Sequence, residues 1–444
     1  MKNPFRIRQP APLPFRIRIP LNRLSLHTQT TLVMWCGAAF LGLIAVMLAK
    51  ASDLAFGGFR TLTHHWSWWP FIALPLGGMG IRWLMGRIGQ GAEGSGIPQA
   101  LAALNQVESA RASTLLSARI ALAKFLGIAL GVGCGFVLGR EGPTVQIGAA
   151  LMYACRRFIP EDTPELRRTL ILAGGAAGIA AAFNTPLAGV VFAFEELASS
   201  VEHSTSTRTI GAVILAGMVS LALLGDYTYF GRIHVPGFTF FILLPMTLVA
   251  VSAGFIGGLF SWLCVHQQRW LPMRILLLRR QHPYGFVAAC GLLVALCGLA
   301  APIYGSGATE TSQVIGNHAH LGWCYLPLKF CGLMATFLTG LPGGIFAPSL
   351  SLGAGLGSWF EPLFSDNTHI QIIALGMVAM LAAVTRAPIT SAIIMIEMTD
   401  GHAMVISTLG AAMIAAGVAR IFKTRLYHDL AKKFLPPSGF PTAA

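Results

Sequence analysis

Three short motifs in the sequence join glycine to proline and run directly into an apolar stretch. Glycine lets the backbone approach a ligand closely, and proline is favoured in the first turn of a helix. A helix N-terminus leaves about four N–H groups unpaired and carries about half a positive charge. The motifs therefore favour binding of an anion by backbone N–H groups. They are Gly94-Ser95-Gly96-Ile97-Pro98, Gly139-Arg140-Glu141-Gly142-Pro143 and Gly344-Ile345-Phe346-Ala347-Pro348.

Glu141 is an ionisable residue in an apolar, glycine-rich region, which makes it a functional hypothesis by default. Its carboxylate is expected to compete with an anion for one position. The ionised carboxylate would occupy that position and close the path. The protonated side chain would move out of it and open the path. A glutamate that only stabilises a helix dipole remains the alternative interpretation.

Ser95 offers a hydroxyl donor between two glycines, as an anion ligand or as a helix N-cap. A third interpretation is the nucleophile of an intramembrane protease. That motif requires glycine two residues to either side of the serine, where this chain has Glu93 and Ile97. The sequence therefore disfavours an enzyme, and we predict no catalytic residues.

The composition predicts an integral membrane protein. Of the 444 residues, 55% are hydrophobic and 11% are charged, whereas a soluble protein carries about 25% charged residues. The net charge of +14 is interpreted as cationic loops on the cytoplasmic face of a membrane rather than as a nucleic-acid surface. The eight cysteines and twelve histidines show no metal-ligand spacing, so no metal or cofactor is predicted.

Residues 1–30 are predicted to form a basic cytoplasmic tail beside anionic lipid. Five prolines make a regular helix unfavourable there, and no signal-peptide pattern precedes the first apolar run. The tail has no acidic residue, and its basic residues are Lys2, Arg6, Arg8, Arg16, Arg18 and Arg23.

The apolar segments begin near residue 31 and are broken repeatedly by glycine and proline, which lipid tolerates only where protein or a water-filled cavity covers the backbone. Residues 174–195 resemble residues 376–397, with matched residues 202 positions apart. Residues 139–151 resemble residues 343–356, with matched residues 205 positions apart. We predict duplicated halves at about 31–225 and 240–430, an organisation common in transporters.

The three motifs, in this order and together with segments 174–196 and 381–400, resemble the CLC family of chloride channels and chloride/proton antiporters. The resemblance covers residues 31–430, with a short C-terminal tail at 431–444. It implies an all-α polytopic membrane fold with broken helices and two inverted repeated halves. It also implies a homodimer in the bacterial inner membrane, with a cytoplasmic N-terminus.

The same resemblance implies site residues. Ser95, the backbone N–H groups of Ile345 and Phe346, and the Tyr427 hydroxyl would bind chloride. Glu141 would be the gate, and Glu196 the internal proton-transfer residue of exchangers. For Tyr427 an interfacial aromatic, and for Glu196 a structural salt bridge, are the alternative interpretations.

The function expected from this resemblance is secondary active exchange of chloride for protons. The alternative is an uncoupled, voltage- or pH-gated chloride channel.

Lys124 matches a buried structural lysine of the family. Gln99 stands where the family commonly has glutamate, which leaves the acidic partner of that lysine in question.

Overall fold

The computed structural model describes residues 25–198, 207–225, 240–317, 320–364, 368–399 and 401–435. Within these ranges the regular structure is helical apart from two isolated bridges. The predicted all-α fold is confirmed. The helices are α1 (Leu26–His65), α2 (Pro70–Ile88), α3 (Ile97–Asn105), α4 (Ala110–Leu115), α5 (Ala118–Gly133), α6 (Glu141–Cys155), α7 (Pro164–Phe183), α8 (Pro186–Phe192), α9 (Thr207–Leu224), α10 (Leu243–Val265), α11 (Gln267–Trp270), α12 (Met273–Gln281), α13 (Pro283–Ala300), α14 (Ala308–Asn317), α15 (Tyr325–Thr339), α16 (Phe346–Phe360), α17 (His369–Thr385), α18 (Pro388–Thr399), α19 (Val405–Ala419) and α20 (Leu426–Ala431).

Seven helical segments among the described residues are long and apolar enough to cross a membrane. They include α1, α7, α10 and α13. By contrast, α6 and α16 have 15 residues each and are about 22 Å long. Because the hydrocarbon core is about 30 Å thick, such helices do not cross it alone. These are the broken helices that the glycine–proline motifs predicted.

The N-terminal boundary differs from the predicted one. Helix α1 begins at Leu26, with Ser25 as its N-cap, so residues 26–30 belong to the helix and not to the basic tail. A hydroxyl acceptor at this position bonds the Thr28 N–H, which is a favourable helix start. The basic residues of the predicted tail, and residues 436–444, lie outside the described residues.

The two halves are joined by a reciprocal set of hydrogen bonds. Glu195, just beyond α8, accepts the N–H groups at the start of α18, at 3.0 Å from Ile389 and 2.6 Å from Thr390. Glu397, near the end of α18, accepts those at the start of α8, from Leu187 at 3.1 Å and Ala188 at 2.7 Å. The two helices are therefore antiparallel, which requires halves inserted in opposite senses.

Close helix contacts are also repeated. A Cβ added at Gly148 in α6 would overlap the carbonyl oxygen of Gly174 in α7, and one at Gly353 in α16 would overlap that of Gly376 in α17. Small residues let helix backbones approach closely in membranes. Helices α7 and α17 are buried over most of their lengths, so these pairs form the centre of each half.

Gly148→Ala is expected to destabilise the protein by at least about 2 kcal/mol, because overpacking moves two helix backbones apart. Gly58→Ala is the control, since Gly58 lies in α1 and a Cβ there meets no atom within 4 Å. Thermal unfolding of the purified variants in detergent tests this. Equal stability of both variants would contradict the close packing.

Candidate functional site

The three predicted motifs are hydrogen-bonded to one another. Gly139 and Gly344 form an isolated antiparallel bridge, with N–H···O distances of 2.8 and 2.7 Å. Gly94 is hydrogen-bonded to the extended segment that leads into the third motif. Its N–H donates to Leu341 O at 3.3 Å, and its carbonyl accepts from Gly343 N at 3.0 Å. The N-termini of α3, α6 and α16 therefore converge at one place in the protein interior.

Glycine at two positions makes this convergence possible. A Cβ on Gly142 would overlap the Ser95 hydroxyl and lie 2.9 Å from the Ser95 carbonyl oxygen. Gly96 precedes α3 with φ of 104°, a conformation that favours glycine. The first and second motifs are in direct backbone contact as a result.

The Glu141 side chain is fully buried and lies at the start of α16. One carboxylate oxygen accepts the Ala347 N–H at 3.5 Å. The other oxygen is buried and makes no hydrogen bond within the described residues. The carboxylate thus lies where a helix N-terminus favours an anion.

Tyr427 approaches the same place from α20. Its ring is 1% exposed and stacks on Phe346, with centroids 5.9 Å apart. Its hydroxyl lies next to Ser95. Among the described residues neither hydroxyl has a hydrogen-bond partner beyond the other one, although a buried hydroxyl can both donate and accept. Two buried hydroxyls therefore lie together at the place where the helix N-termini converge.

Ile345 and Phe346 provide the start of α16. Ile345 is its N-cap and is 4% exposed, and Phe346 is its first residue and is 2% exposed. The Phe346 ring also packs against Phe183 and Phe192, with centroids 5.9 and 6.2 Å away. Both side chains are core, so any contribution to anion binding comes from backbone N–H groups.

Glu196 has surroundings different from those of Glu195. It lies in a π-helical segment, Ala193–Leu197, and is 2% exposed. Its carboxylate is 3.4 Å from His428 Nδ1, and the His428 side chain is 23% exposed. Sequence reasoning missed His428, and its position directly after Tyr427 was the available signal. The imidazole links a buried carboxylate to the protein surface.

Lys124 is completely buried and anchors the loop before α3. Its Nζ donates to Ala92 O at 2.8 Å and to Gly94 O at 2.7 Å. The acidic partner in question is Glu93, whose carboxylate interacts with Lys124 electrostatically. Gln99 instead donates to the loop carbonyls of Gly91 and Glu93, at 3.2 and 2.6 Å.

One cluster of possible metal ligands occurs among the described residues. Glu361 lies between His369 Nδ1 at 2.6 Å and His320 Nδ1 at 2.9 Å. These are ordinary hydrogen-bond lengths, and the arrangement is complete without an ion. That the protein binds no metal stays a prediction.

Helix N-termini converging on buried hydroxyls, within an inverted repeat of broken membrane helices, define an ion-transport protein. A family model described as voltage gated chloride channel matches residues 77–420. The chain belongs to this family, the CLC family.

Similar proteins include the H(+)/Cl(-) exchange transporter ClcA of Klebsiella pneumoniae subsp. pneumoniae, 30% identical over 462 residues, covering 93% of this chain and 92% of that protein. The ClcA of Cronobacter sakazakii is 31% identical over 450 residues, covering 94% and 92%. A solved slow cyanobacterial Cl-/H+ antiporter has a TM-score of 0.77 at 23% identity, covering 93% of this chain and 100% of that chain. A eukaryotic CLC transporter has a TM-score of 0.71 at 22% identity, covering 92% and 74%. The two structures establish the fold.

Lys124→Met is expected to lower the stability by about 3 kcal/mol, because hydrogen bonds from a charged group contribute about 1.5–3 kcal/mol. Lys432→Met is the control, since Lys432 is largely exposed and bonds only Asp429 among the described residues. Thermal unfolding in detergent separates the two. A Lys124→Met protein as stable as the control would rule out the anchoring role.

Proposed function

We propose that this protein is a secondary active transporter that exchanges chloride for protons across the membrane. The observation that carries the proposal is the Glu141 carboxylate at the α16 N-terminus, because it occupies a position suited to an anion. The curated relatives that match over nine tenths of the chain are named H(+)/Cl(-) exchange transporters.

In this proposal chloride binds to neutral donors. The ion is contacted by the Ser95 and Tyr427 hydroxyls, which are buried beside each other, and by the N–H groups of Ile345 and Phe346. Helix dipoles supply the attraction. A full positive charge would hold the ion too tightly, whereas transport requires binding that is weak enough for release.

Glu141 couples chloride to protons. Ionised, its carboxylate holds the place at the α16 N-terminus and excludes chloride by like charge and by volume. Protonated, it loses its attraction to the helix N-terminus and leaves. Protonation of Glu141 and occupation of the chloride position are thereby linked, and this link is the physical basis of exchange.

Glu196 delivers the proton to Glu141 from the opposite side of the anion site. It is buried beside partly exposed His428, and Tyr427 interacts electrostatically with both Glu196 and Glu141.

The second candidate function is an uncoupled chloride channel, in which the Glu196–His428 contact is only a structural ion pair. The exchanger and the channel would share the same anion site, so a measurement of proton movement distinguishes the two functions.

The protein acts within a lipid bilayer, as its spanning helices support. We place it in a bacterial inner membrane as a homodimer with a cytoplasmic N-terminus, following the family resemblance. The basic N-terminal segment agrees with the positive-inside rule.

Proton coupling is tested with the full-length protein in chloride-loaded liposomes, by recording chloride efflux and external pH together. We expect protons to enter against their gradient as chloride leaves. Glu141→Gln and Glu196→Gln should abolish proton movement while chloride still passes. Glu161→Gln, at an exposed position, should behave as wild type.

Each other outcome has a defined meaning. Chloride efflux without proton movement in the wild type would establish the channel. Absence of chloride movement under all conditions would show that chloride is not the substrate.

Tyr427→Phe is expected to weaken chloride binding about tenfold, the effect of losing about 1.4 kcal/mol from one hydrogen bond to a charged ligand. Its unfolding temperature without chloride should change little, because the only described protein group beside the hydroxyl is the Ser95 hydroxyl. Isothermal titration calorimetry measures the affinity. Tyr153→Phe is the control, a buried tyrosine whose ring contacts Arg156. Equal affinities would remove Tyr427 from the site.

A further inference from the structure

Three arginines lie where the ends of α17, α19 and α20 come together. Arg386 is the C-cap of α17, Arg420 is the C-cap of α19, and Arg425 is the N-cap of α20. The Arg386 guanidinium interacts electrostatically with the other two. Because like charges repel, the fold brings these side chains together at a cost in free energy.

Arg386 has a buried donor that the protein leaves unused. Its Nη1 is buried and makes no hydrogen bond with a described residue. The dipole of α17 attracts a cation to this helix end, but it gives the Nη1 group no acceptor. Since buried polar groups in proteins ordinarily have a partner, this guanidinium indicates a ligand from outside the chain.

Backbone conformation adds a second cation to the same place. Arg386 has φ of 66°, and Lys423, between Arg420 and Arg425 in the sequence, has φ of 49°. This left-handed conformation is uncommon for residues other than glycine. Among the described residues only Asn184 shares it without being glycine. We call Arg386, Arg420, Lys423 and Arg425 the arginine cluster.

No carboxylate balances the arginine cluster within the described part of the chain. None of its four cations forms a salt bridge there. Asp429 accepts the Lys432 ammonium at 2.7 Å and the Arg425 backbone N–H at 2.9 Å. Glu195 is occupied by the N–H groups at the start of α18. The excess positive charge favours an anion with several acceptor atoms.

A phosphate group matches these donors. Each guanidinium has a planar fork of N–H groups that can bond two phosphate oxygens at once. A phosphate has several oxygens for side chains that come from three helix ends, whereas a halide is a single centre. The chemistry of the arginine cluster therefore favours phosphate over chloride.

The arginine cluster adjoins the apolar outer surface of the protein. Ile421, next to Arg420, is 71% exposed. Phe255 in α10 is 54% exposed, and its ring lies 5.4 Å from that of Phe422. In a membrane protein such exposed apolar side chains face lipid, and basic sites at helix ends bind lipid headgroups. A phospholipid can therefore cover the apolar side chains while its phosphate reaches the arginines.

We propose that the arginine cluster binds a phosphate group, which the headgroup of an anionic phospholipid supplies. The Arg386 Nη1 is the buried donor, Arg420 and Arg425 contact the phosphate from the exposed side, and Lys423 adds a positive charge. The bound headgroup ties the end of α17 to the segment that leads into α20. Inorganic phosphate has the same chemistry from the aqueous side, and the test separates the two sources.

Thermal unfolding of the delipidated full-length protein tests the site, in neutral detergent at a fixed chloride concentration. Phosphatidylglycerol, phosphatidylcholine and inorganic phosphate are added in separate titrations. We expect phosphatidylglycerol to raise the unfolding temperature to a plateau. Phosphatidylcholine, whose headgroup has no net charge, should have a smaller effect. Native mass spectrometry of the same samples counts the lipids that stay bound.

Arg386→Gln, Arg420→Gln and Arg425→Gln should each raise the phosphatidylglycerol concentration at the titration midpoint about ten-fold, the effect of losing a hydrogen bond to a charged group. Because Arg420 and Arg425 are exposed, their variants should fold as the wild type does, and the test does not depend on the stability of Arg386→Gln. Arg274→Gln is the control, since Arg274 is an exposed arginine of α12 and its loss removes the same charge elsewhere.

The outcomes separate the site from the source of its phosphate. Weaker phosphatidylglycerol binding in the cluster variants, but not in Arg274→Gln, supports the lipid site. Saturation by inorganic phosphate at the same arginines, without preference between the two lipids, overturns the lipid source and retains the phosphate site. Equal midpoints for wild type, Arg420→Gln and Arg425→Gln with both phosphate-bearing probes overturn the site. Chloride transport is tested separately in the liposome assay and does not depend on these results.

Discussion

The reciprocal hydrogen bonds between Gly139 and Gly344 are the contact on which the rest of the site depends. These glycines are 205 positions apart and occupy equivalent places in the two halves. An antiparallel bridge is itself two-fold symmetric, so the pair can lie on the axis that relates the halves. A Cβ at either position would press on the proline of the opposite motif, 3.0 Å from Pro348 or 3.2 Å from Pro143. Glycine there lets the N-termini of α6 and α16 meet.

The repeat departs from symmetry at the first residues of α6 and α16. At the 205-residue spacing, the residue equivalent to Glu141 is Phe346. Each is the first residue of its helix, α6 or α16. The carboxylate accepts an N–H from the opposite helix, whereas the aromatic ring stacks on Tyr427. One side of the site therefore has a titratable group and the other an apolar wall.

The two buried lysines direct their charge at backbone carbonyls. Lys124 and Lys329 donate to the carbonyls of their glycine loops. Each satisfies a buried charge with hydrogen bonds, as low-dielectric surroundings require. The same bonds fix the loops in the left-handed glycine conformations that aim α3 and α14.

The amino-acid sequence by itself determined that the protein lies in a membrane, that its halves are duplicated and that three glycine–proline motifs begin helices, because apolar length, residue spacing and glycine–proline chemistry can be read along the chain. It made Ser95 and Glu141 candidates through their own residue types and surroundings, and Glu196 and Tyr427 candidates only through family resemblance. The tertiary structure decided which helix N-termini meet, and why Glu195 joins the two halves while adjacent Glu196 contacts His428. It also gave the glycines beside Ser306 the same left-handed conformations as those beside Ser95. These relations join residues as many as 200 or so positions apart. Only packing of the two inverted halves brings such residues together, and no local pattern encodes the distance between them.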